Sequence, residues 1–266
     1  RTASRLEPHA LGIVTDFEDG SMLALIEGLT LGVRQPYGLA RDVARRDDVQ
    51  RVDVVVMDGA HAERLQAPLQ RLSVLEGARA WTRNLVDAPP NQMTPDVLAG
   101  AAADAARAVG MTARVHDEAW MRERGMGALL AVAQGSSHPP RMVVLEHQVE
   151  RGDVPTLALV GKGVTFDSGG LSLKDRTAMP AMKGDMAGAA AVLGAALAIA
   201  RLGLPIRLVA VAACVENMPD ALAFRPSDVV YASDGTAIEI TSTDAEGRLA
   251  LADALSYAAS FDPDVT

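Results

Sequence analysis

Thr156-Leu-Ala-Leu-Val-Gly-Lys-Gly-Val-Thr-Phe-Asp-Ser-Gly-Gly-Leu-Ser-Leu-Lys174 opens as a short apolar strand, Thr156 to Val160, and passes into a glycine-punctuated run that carries charge. Downstream, Ala187 to Ala200 is apolar all round, as a buried helix is. Ile206 to Ala213 is a continuous apolar run of strand length. Strand, buried helix and buried strand in succession predict an α/β unit with helices covering a sheet.

The same alternation extends in both directions. Leu11 to Thr15 reads as a strand, Asp19 to Leu31 as a helix, Gln35-Pro36 as a loop and Arg51 to Met57 as a strand. From Ala60 to Val86 the residues Leu65, Leu69, Leu72, Leu75, Ala78, Trp81 and Leu85 recur at helical spacing. Two prolines in Asp87-Ala-Pro-Pro-Asn91 end that helix. Thr94 is placed to cap a further helix, with Pro95 at its first position and its end at Val109. Strands are predicted at Ala113–His116, Leu129–Ala133, Met142–Leu145 and Ala237–Thr241, and a last helix from Gly247 to Ala259. The expected fold is α/β, a mixed sheet sandwiched by helices. A smaller α/β domain over 1–59 would be joined by a connector helix, 60–86, to a larger domain over 87–266. Phe261-Asp-Pro-Asp-Val-Thr266 looks like the lead-in to one more buried strand, so a fragment of a longer protein is expected.

With 266 residues the chain can bury a sizeable core. Its 34 acidic and 25 basic residues give a net charge of −9, which argues against nucleic acid or an anionic membrane as a partner. The lone Cys214 lies in an apolar run, permits no intrachain disulfide and fits a reducing cytosol. No run is read as long enough to span a membrane, and Arg1 to Pro8 has no signal-peptide core. A soluble cytoplasmic protein is expected.

Two further charged segments join the first run: Met182-Lys-Gly-Asp-Met186 and Ser242-Thr-Asp-Ala-Glu-Gly-Arg-Leu249. Each is flanked by apolar sequence, where an isolated charge is costly. Taken singly, these residues have ordinary explanations as helix caps, solvated turns or surface lysines. Jointly, with Lys162 and Asp167 after one strand, Asp185 before the buried helix, and Asp244 and Glu246 opening the last helix, they converge on one edge of the sheet. Four carboxylates there cannot all stay ionised without a cation. A pair of divalent metals resolves the problem, two-metal hydrolases being the general case. Oxygen ligands without His or Cys suit Mg²⁺ or Mn²⁺, and Zn²⁺ accepts carboxylates too. One lysine could then ligate as a neutral amine and another could hold an oxyanion. Phosphoester and amide hydrolysis are both open at this level. His9, His61, His116, His138 and His147 lie far from these motifs and read as surface or loop residues. Gly161-Lys162-Gly163 lacks the remainder of a phosphate-binding loop.

At these residues the chain resembles the leucine aminopeptidase (cytosol aminopeptidase) family of two-metal exopeptidases. The resemblance covers Gly161 to Gly170 through Lys174, Met182 to Ala190 and Thr243 to Leu249. It extends to Glu216-Asn-Met-Pro219 with Arg225-Pro226, and to Asn84 to Asn91 with Thr94-Pro95. It implies a metal-dependent aminopeptidase with leucine-like preference, acting on peptides with a free N-terminus and assembled as a homohexamer. It implies that Asp167 and Glu246 bridge two metal ions, Mn²⁺ or Zn²⁺ with Mg²⁺ compatible. Asp244 would complete one site, and Lys162 with Asp185 the other. Lys174 would polarise the scissile carbonyl, Arg248 would hold bicarbonate, and Met182 would line the side-chain pocket. The substrate's α-amine would meet a metal and Asp185.

Ser242 stands where the family usually has Asn, a departure expected to be tolerated. Family members carry a fuller N-terminal domain than residues 1–60 can build and further strands after the position of Thr266. Part of each domain is therefore expected to lie outside this chain. Within the same chemistry, a dipeptidase such as a cysteinylglycinase is the alternative. In another class it is a DNA-binding or scaffold relative that has lost catalysis. The intact set Asp167, Lys174, Asp185, Glu246 and Arg248 speaks against the latter.

Overall fold

The structure, a computed structural model, describes residues 4–7, 10–14, 19–32, 51–56, 58–149 and 152–266. His9, Thr15, the Gln35-Pro36 loop and Met57 lie outside the described residues. The chain divides into two compact units, Arg1–Ala80 and Trp81–Thr266.

In the first unit β1 (Ser4–Glu7), β2 (Ala10–Val14) and β3 (Arg51–Val55) form a sheet in that order. β1 is antiparallel to β2 and β3 is parallel to it, with α1 (Asp19–Gly32) between β2 and β3 in sequence. Met22 and Ile26 of α1 bury against Leu65 of α2 (Gly59–Asp87), the long helix in which the boundary between the units falls.

The second unit is built on a four-stranded sheet. Thr94 caps α3 (Pro95–Ala108) by accepting from Val97 N at 3.4 Å, with Pro95 in the first turn. Then come β4 (Thr112–His116), α4 (Glu118–Glu123), α5 (Gly127–Ala133), β5 (Arg141–His147) and β6 (Thr156–Asp167). α6 (Ala187–Leu202), β7 (Arg207–Asn217), β8 (Val229–Tyr231), β9 (Ala237–Glu239) and α7 (Glu246–Ala259) complete it. The sheet order is β4-β5-β7-β6, with β6 and β7 parallel and the other pairs antiparallel. Val265 adds in parallel beside β6, its carbonyl accepting from Ala158 N at 2.8 Å.

Strand alternation decides which helix covers which face. Val209, Val211, Ala213 and Val215 of β7 join the core formed with α5 and α7. Leu208, Ala210, Ala212 and Cys214 are equally buried and point the other way, on the side where α6 packs against β7 and α3 against α6. Both faces are thus apolar, and burial pushes the Cys214 thiol up to about 12. Gly161 permits one close approach: a Cβ there would lie 2.6 Å from the backbone of Ala189 in α6.

Several expectations are corrected. Leu129–Ala133 is not a strand but the body of α5, since a short apolar run does not distinguish the two by periodicity. β6 does not stop at Val160, and Ala237–Glu239 pairs with β8 in a separate hairpin instead of joining the sheet. Met179–Leu202 is long and apolar enough to cross a membrane by length and composition, contrary to the sequence expectation. Lys183 and Asp185 hid that length. In the fold its α6 part buries Ala189, Ala190, Leu193 and Leu197, the behaviour of a core helix.

Asp253 of α7 was not anticipated. It is fully buried, and its carboxylate accepts from Leu129 N at the start of α5 (2.8 Å) and from Ser233 N at the hairpin (2.7 Å). Burial raises its proton affinity above that of an ordinary aspartate despite those donors. Asp253→Ala strips a buried and a half-buried amide of their acceptor and should destabilise the protein by about 2–4 kcal/mol, read from urea denaturation. A loss below about 0.5 kcal/mol, the level of a surface change, would count against this role.

Candidate metal centre

β6 carries the first two groups. Lys162 and Asp167 are five residues apart, a spacing that places side chains on opposite faces of a regular strand. The register with β7 slips by one residue between Val164 (opposite Val215) and Asp167 (opposite Asn217). This β-bulge returns Asp167 to the side from which Lys162 projects. Both residues therefore belong to the strand itself, which corrects the expectation that Lys162 and Asp167 come after it.

The loop after β6 doubles back through Gly169 and Gly170, whose φ values of 86° and 63° suit glycine. Lys174 N donates to Ser168 O at 2.9 Å, closing the loop. Ser172 N donates to Thr243 Oγ1 (2.7 Å) and Thr243 N to Ser172 Oγ (3.1 Å), so the loop is stitched to the turn that precedes α7. Asp185 follows a 3₁₀ turn, Met179–Gly184, that Lys183 ties to Asp87 O at 2.9 Å. Asp244 lies in a second 3₁₀ turn, Thr243–Ala245, where Ser242 Oγ accepts from Asp244 N at 3.2 Å. A serine thus supplies the turn contact at this position. Glu246 begins α7, where the helix dipole favours negative charge.

These elements bring six of the expected residues together. Lys162 Nζ lies 2.8 Å from Asp185 Oδ2 and 2.7 Å from Glu246 Oε1. Lys174 Nζ lies 2.8 Å from Asp167 Oδ2 and pairs with Asp244 Oδ1. Asp167, Asp185 and Glu246 each offer a carboxylate oxygen within 4.8 Å of the others. Arg248 is exposed on the first turn of α7 and makes no ion pair among the described residues. Met182 is half-buried in the 3₁₀ turn before Asp185.

Lys162 threads between two glycines. A Cβ on Gly247 would meet its Cδ and Cε at 2.7 Å, and one on Gly188 would press on its backbone at 3.3 Å. Burial alone would lower the Lys162 pKa, but Asp185 and Glu246 outweigh it and the value is raised. With only carboxylates for company this lysine stays charged, so a neutral amine here requires the field of a cation. Lys174 is likewise raised: Asp167 and Asp244 overcome its desolvation. Burial raises Glu246 as well, and Asp167 adds to the rise against the opposing pull of Lys162.

Glu246 is 1% exposed, and neither of its oxygens has a hydrogen-bond donor; Lys162 stands at ion-pair distance but outside hydrogen-bonding angles. Asp185 Oδ2 is in the same position. Buried carboxylate oxygens that share a single ammonium are only partly compensated, and a further cation would complete them. Four carboxylates also face only two ammonium groups, an excess of negative charge that a divalent ion would offset. The donor set therefore fits oxygen-preferring divalent metals.

Asn217, Thr243, Ser168 and Ser172, which brace the site, were not singled out from the sequence. Polar residues closing the otherwise apolar β7 were the available signal for Asn217. The described histidines stay out of the cluster: His61 meets Asp19 at 2.7 Å, His116 stacks on Trp120 with ring centroids 3.7 Å apart, and His147 ends β5. His116 and His147 are strand residues, not loop residues. A groove of about 450 Å³, lined by Arg122, Leu130, Ser136, His138 and Leu222 among others, shares no residue with the acidic cluster.

Residues 80–266 match the cytosol aminopeptidase family, catalytic domain. A protein of Syntrophotalea carbinolica named "Probable cytosol aminopeptidase" is 45% identical over 90% of this chain and 48% of its own length. One of Persephonella marina with the same name is 37% identical over 97% of the chain and 52% of its own length. One of Thioalkalivibrio sulfidiphilus, also so named, is 50% identical over 69% of the chain and 37% of its own length. The chain spans about half the length of the curated relatives that it matches most fully.

Gly247→Ala tests the packing around Lys162. Alanine suits a helix better than glycine by roughly 0.5–1 kcal/mol, so the fold should persist. The lysine must leave its slot, and affinity for Mn²⁺, read by calorimetry, should fall about tenfold or more. Unchanged affinity would show that Lys162 can occupy another path.

Proposed function

Because the chain belongs to the cytosol aminopeptidase family, we propose that it carries the active centre of a metal-dependent aminopeptidase releasing N-terminal residues, with leucine-like preference, from peptides. The observation that carries this is the convergence of buried Asp167 and Glu246 with half-buried Asp185, their oxygens within 4.8 Å, with a lysine on either side. A homohexameric assembly and a cytoplasmic setting belong to the same proposal.

Lys162 and Asp185 would hold one divalent ion and Asp244 the other, with Asp167 and Glu246 shared. Mn²⁺ and Zn²⁺ are the proposed ions, with Mg²⁺ compatible. Such ions, when bound, supply Lewis acidity and a nucleophilic water at neutral pH. The chain's own groups do the remainder. Lys174, held protonated by Asp167 and Asp244, can donate to the oxygen on which charge builds during attack at the peptide carbonyl. Asp185, more exposed than Asp167 or Glu246, can accept from the substrate's α-ammonium, which restricts cleavage to the N-terminal bond. The exposed guanidinium of Arg248 suits bidentate capture of a bicarbonate ion. Met182 would border the pocket for the first side chain.

Removing the carboxylate in Glu246→Ala should abolish hydrolysis of leucine p-nitroanilide by the intact protein and lower bound metal together. A variant with full turnover and parental metal content would overturn the assignment.

The two lysines should separate. Lys162→Arg cannot present a neutral donor, so metal at its position should be lost. Lys174→Ala should keep its metal while kcat falls roughly a hundred- to a thousandfold, the usual loss for one oxyanion donor. Metal analysis beside kinetics makes the comparison, and equal metal loss in both variants would refute the division of roles.

A further inference from the structure

We propose that Asn217 is a positioning residue of the metal centre, dictating which oxygen of Asp167 faces the ions and tying Asp244 to the same point; this rests on the metallo-aminopeptidase assignment. Asn217 is fully buried at the end of β7. Its main-chain carbonyl accepts from Ser168 N (3.0 Å) and Ser168 Oγ (2.8 Å), anchoring the loop that leaves β6. Its side-chain Nδ2 donates to Asp167 Oδ1 (2.8 Å) and to the Thr243 carbonyl (3.0 Å). Both partners are acceptors, so the orientation of the amide is fixed: reversed, it would set an oxygen against a carboxylate and a carbonyl.

Asp167 Oδ1 also accepts from Gly169 N at 2.9 Å. Two donors thus hold this oxygen, while Oδ2 is turned to Lys174 and the cluster. Rotation of the carboxylate would break both bonds, so Oδ2 is the atom left to present to a cation. The same amide holds Thr243, the residue before Asp244. One side chain therefore sets the relative placement of two carboxylates from separate segments.

The arrangement has a cost. Asn217 Oδ1 is buried with no hydrogen-bond partner among the described residues. It also lies 2.9 Å from where a Cβ on Gly170 would stand. An unpaired buried amide oxygen weakens a fold, and an apolar residue of similar size would avoid it. What the asparagine supplies in return is the pair of hydrogen bonds from Nδ2.

The test measures Mn²⁺ affinity by calorimetry, and melting temperature with excess chelator, on the intact protein and on Asn217→Ala and Asp253→Asn. Asn217→Ala should bind Mn²⁺ about 10–100-fold more weakly, the usual consequence of removing a partner of a metal ligand. Asp253→Asn, a buried hydrogen-bond lesion away from the cluster, should lower the melting temperature but keep Mn²⁺ affinity within about twofold. If Asn217→Ala does not fold, Asn217→Ser, which keeps a small donor, should show the same direction with a smaller loss. Parental affinity in a folded Asn217 variant overturns the proposal, as does an equal loss in Asp253→Asn. A parent that binds no Mn²⁺ overturns the metal assignment itself, and the positioning role with it.

Discussion

A carboxylate taken out of water must be met by something, and the second unit is organised around that requirement at Glu246. The residue is 1% exposed, opens a helix and has no hydrogen-bond donor on either oxygen. The helix dipole contributes at most a fraction of the compensation for a buried charge. Lys162 at 2.7 Å opposes the burial without cancelling it, and it can do so because the strand that carries it packs against α7. From this follow the need for glycine at 247, the bulge that brings Asp167 to the same side, and the doubled-back loop that returns Lys174.

The scaffold suits the task because it is rigid where the charges stand. β6 and β7 are parallel neighbours paired along most of their length, with β7 apolar on both faces, which ties their ends together. Asp185 follows one 3₁₀ turn and Asp244 lies in another, and each turn is fastened by side chains. Lys183 binds the first to Asp87, and Thr243 with Ser172 binds the second to the loop. Acids that would repel one another are thereby held by contacts that do not depend on their own charge.

Much of this was legible in the residues. All-round apolarity marked α6, prolines ended α2, and Thr94-Pro95 marked the start of α3, because each is a local constraint on the backbone. The charged runs within apolar flanks marked the site for a similar reason. Harder to read were features whose cause is non-local. Leu129–Ala133 lies in a helix whose early amide is met by Asp253, more than a hundred residues away, a contact that no local pattern announces. Val160 did not end β6, because pairing with β7 continues through glycines that a propensity argument takes for loop. The bulge before Asp167 exists only as a register between strands, and Asn217 acquires its role only when three chain segments meet.

The glycine slot around Lys162 also bears on how such a centre can change over time. At 188 and 247 no side chain can grow without pressing on the lysine, and at 161 none can grow without moving a helix. Substitutions near the cations are thus closed off by steric exclusion before any question of chemistry arises. Room for change lies at the rim, where Leu171 and Leu173 stand exposed in the loop that ends at Lys174. The same three glycines therefore leave the surface as the place where the site can be altered without disturbing the lysine.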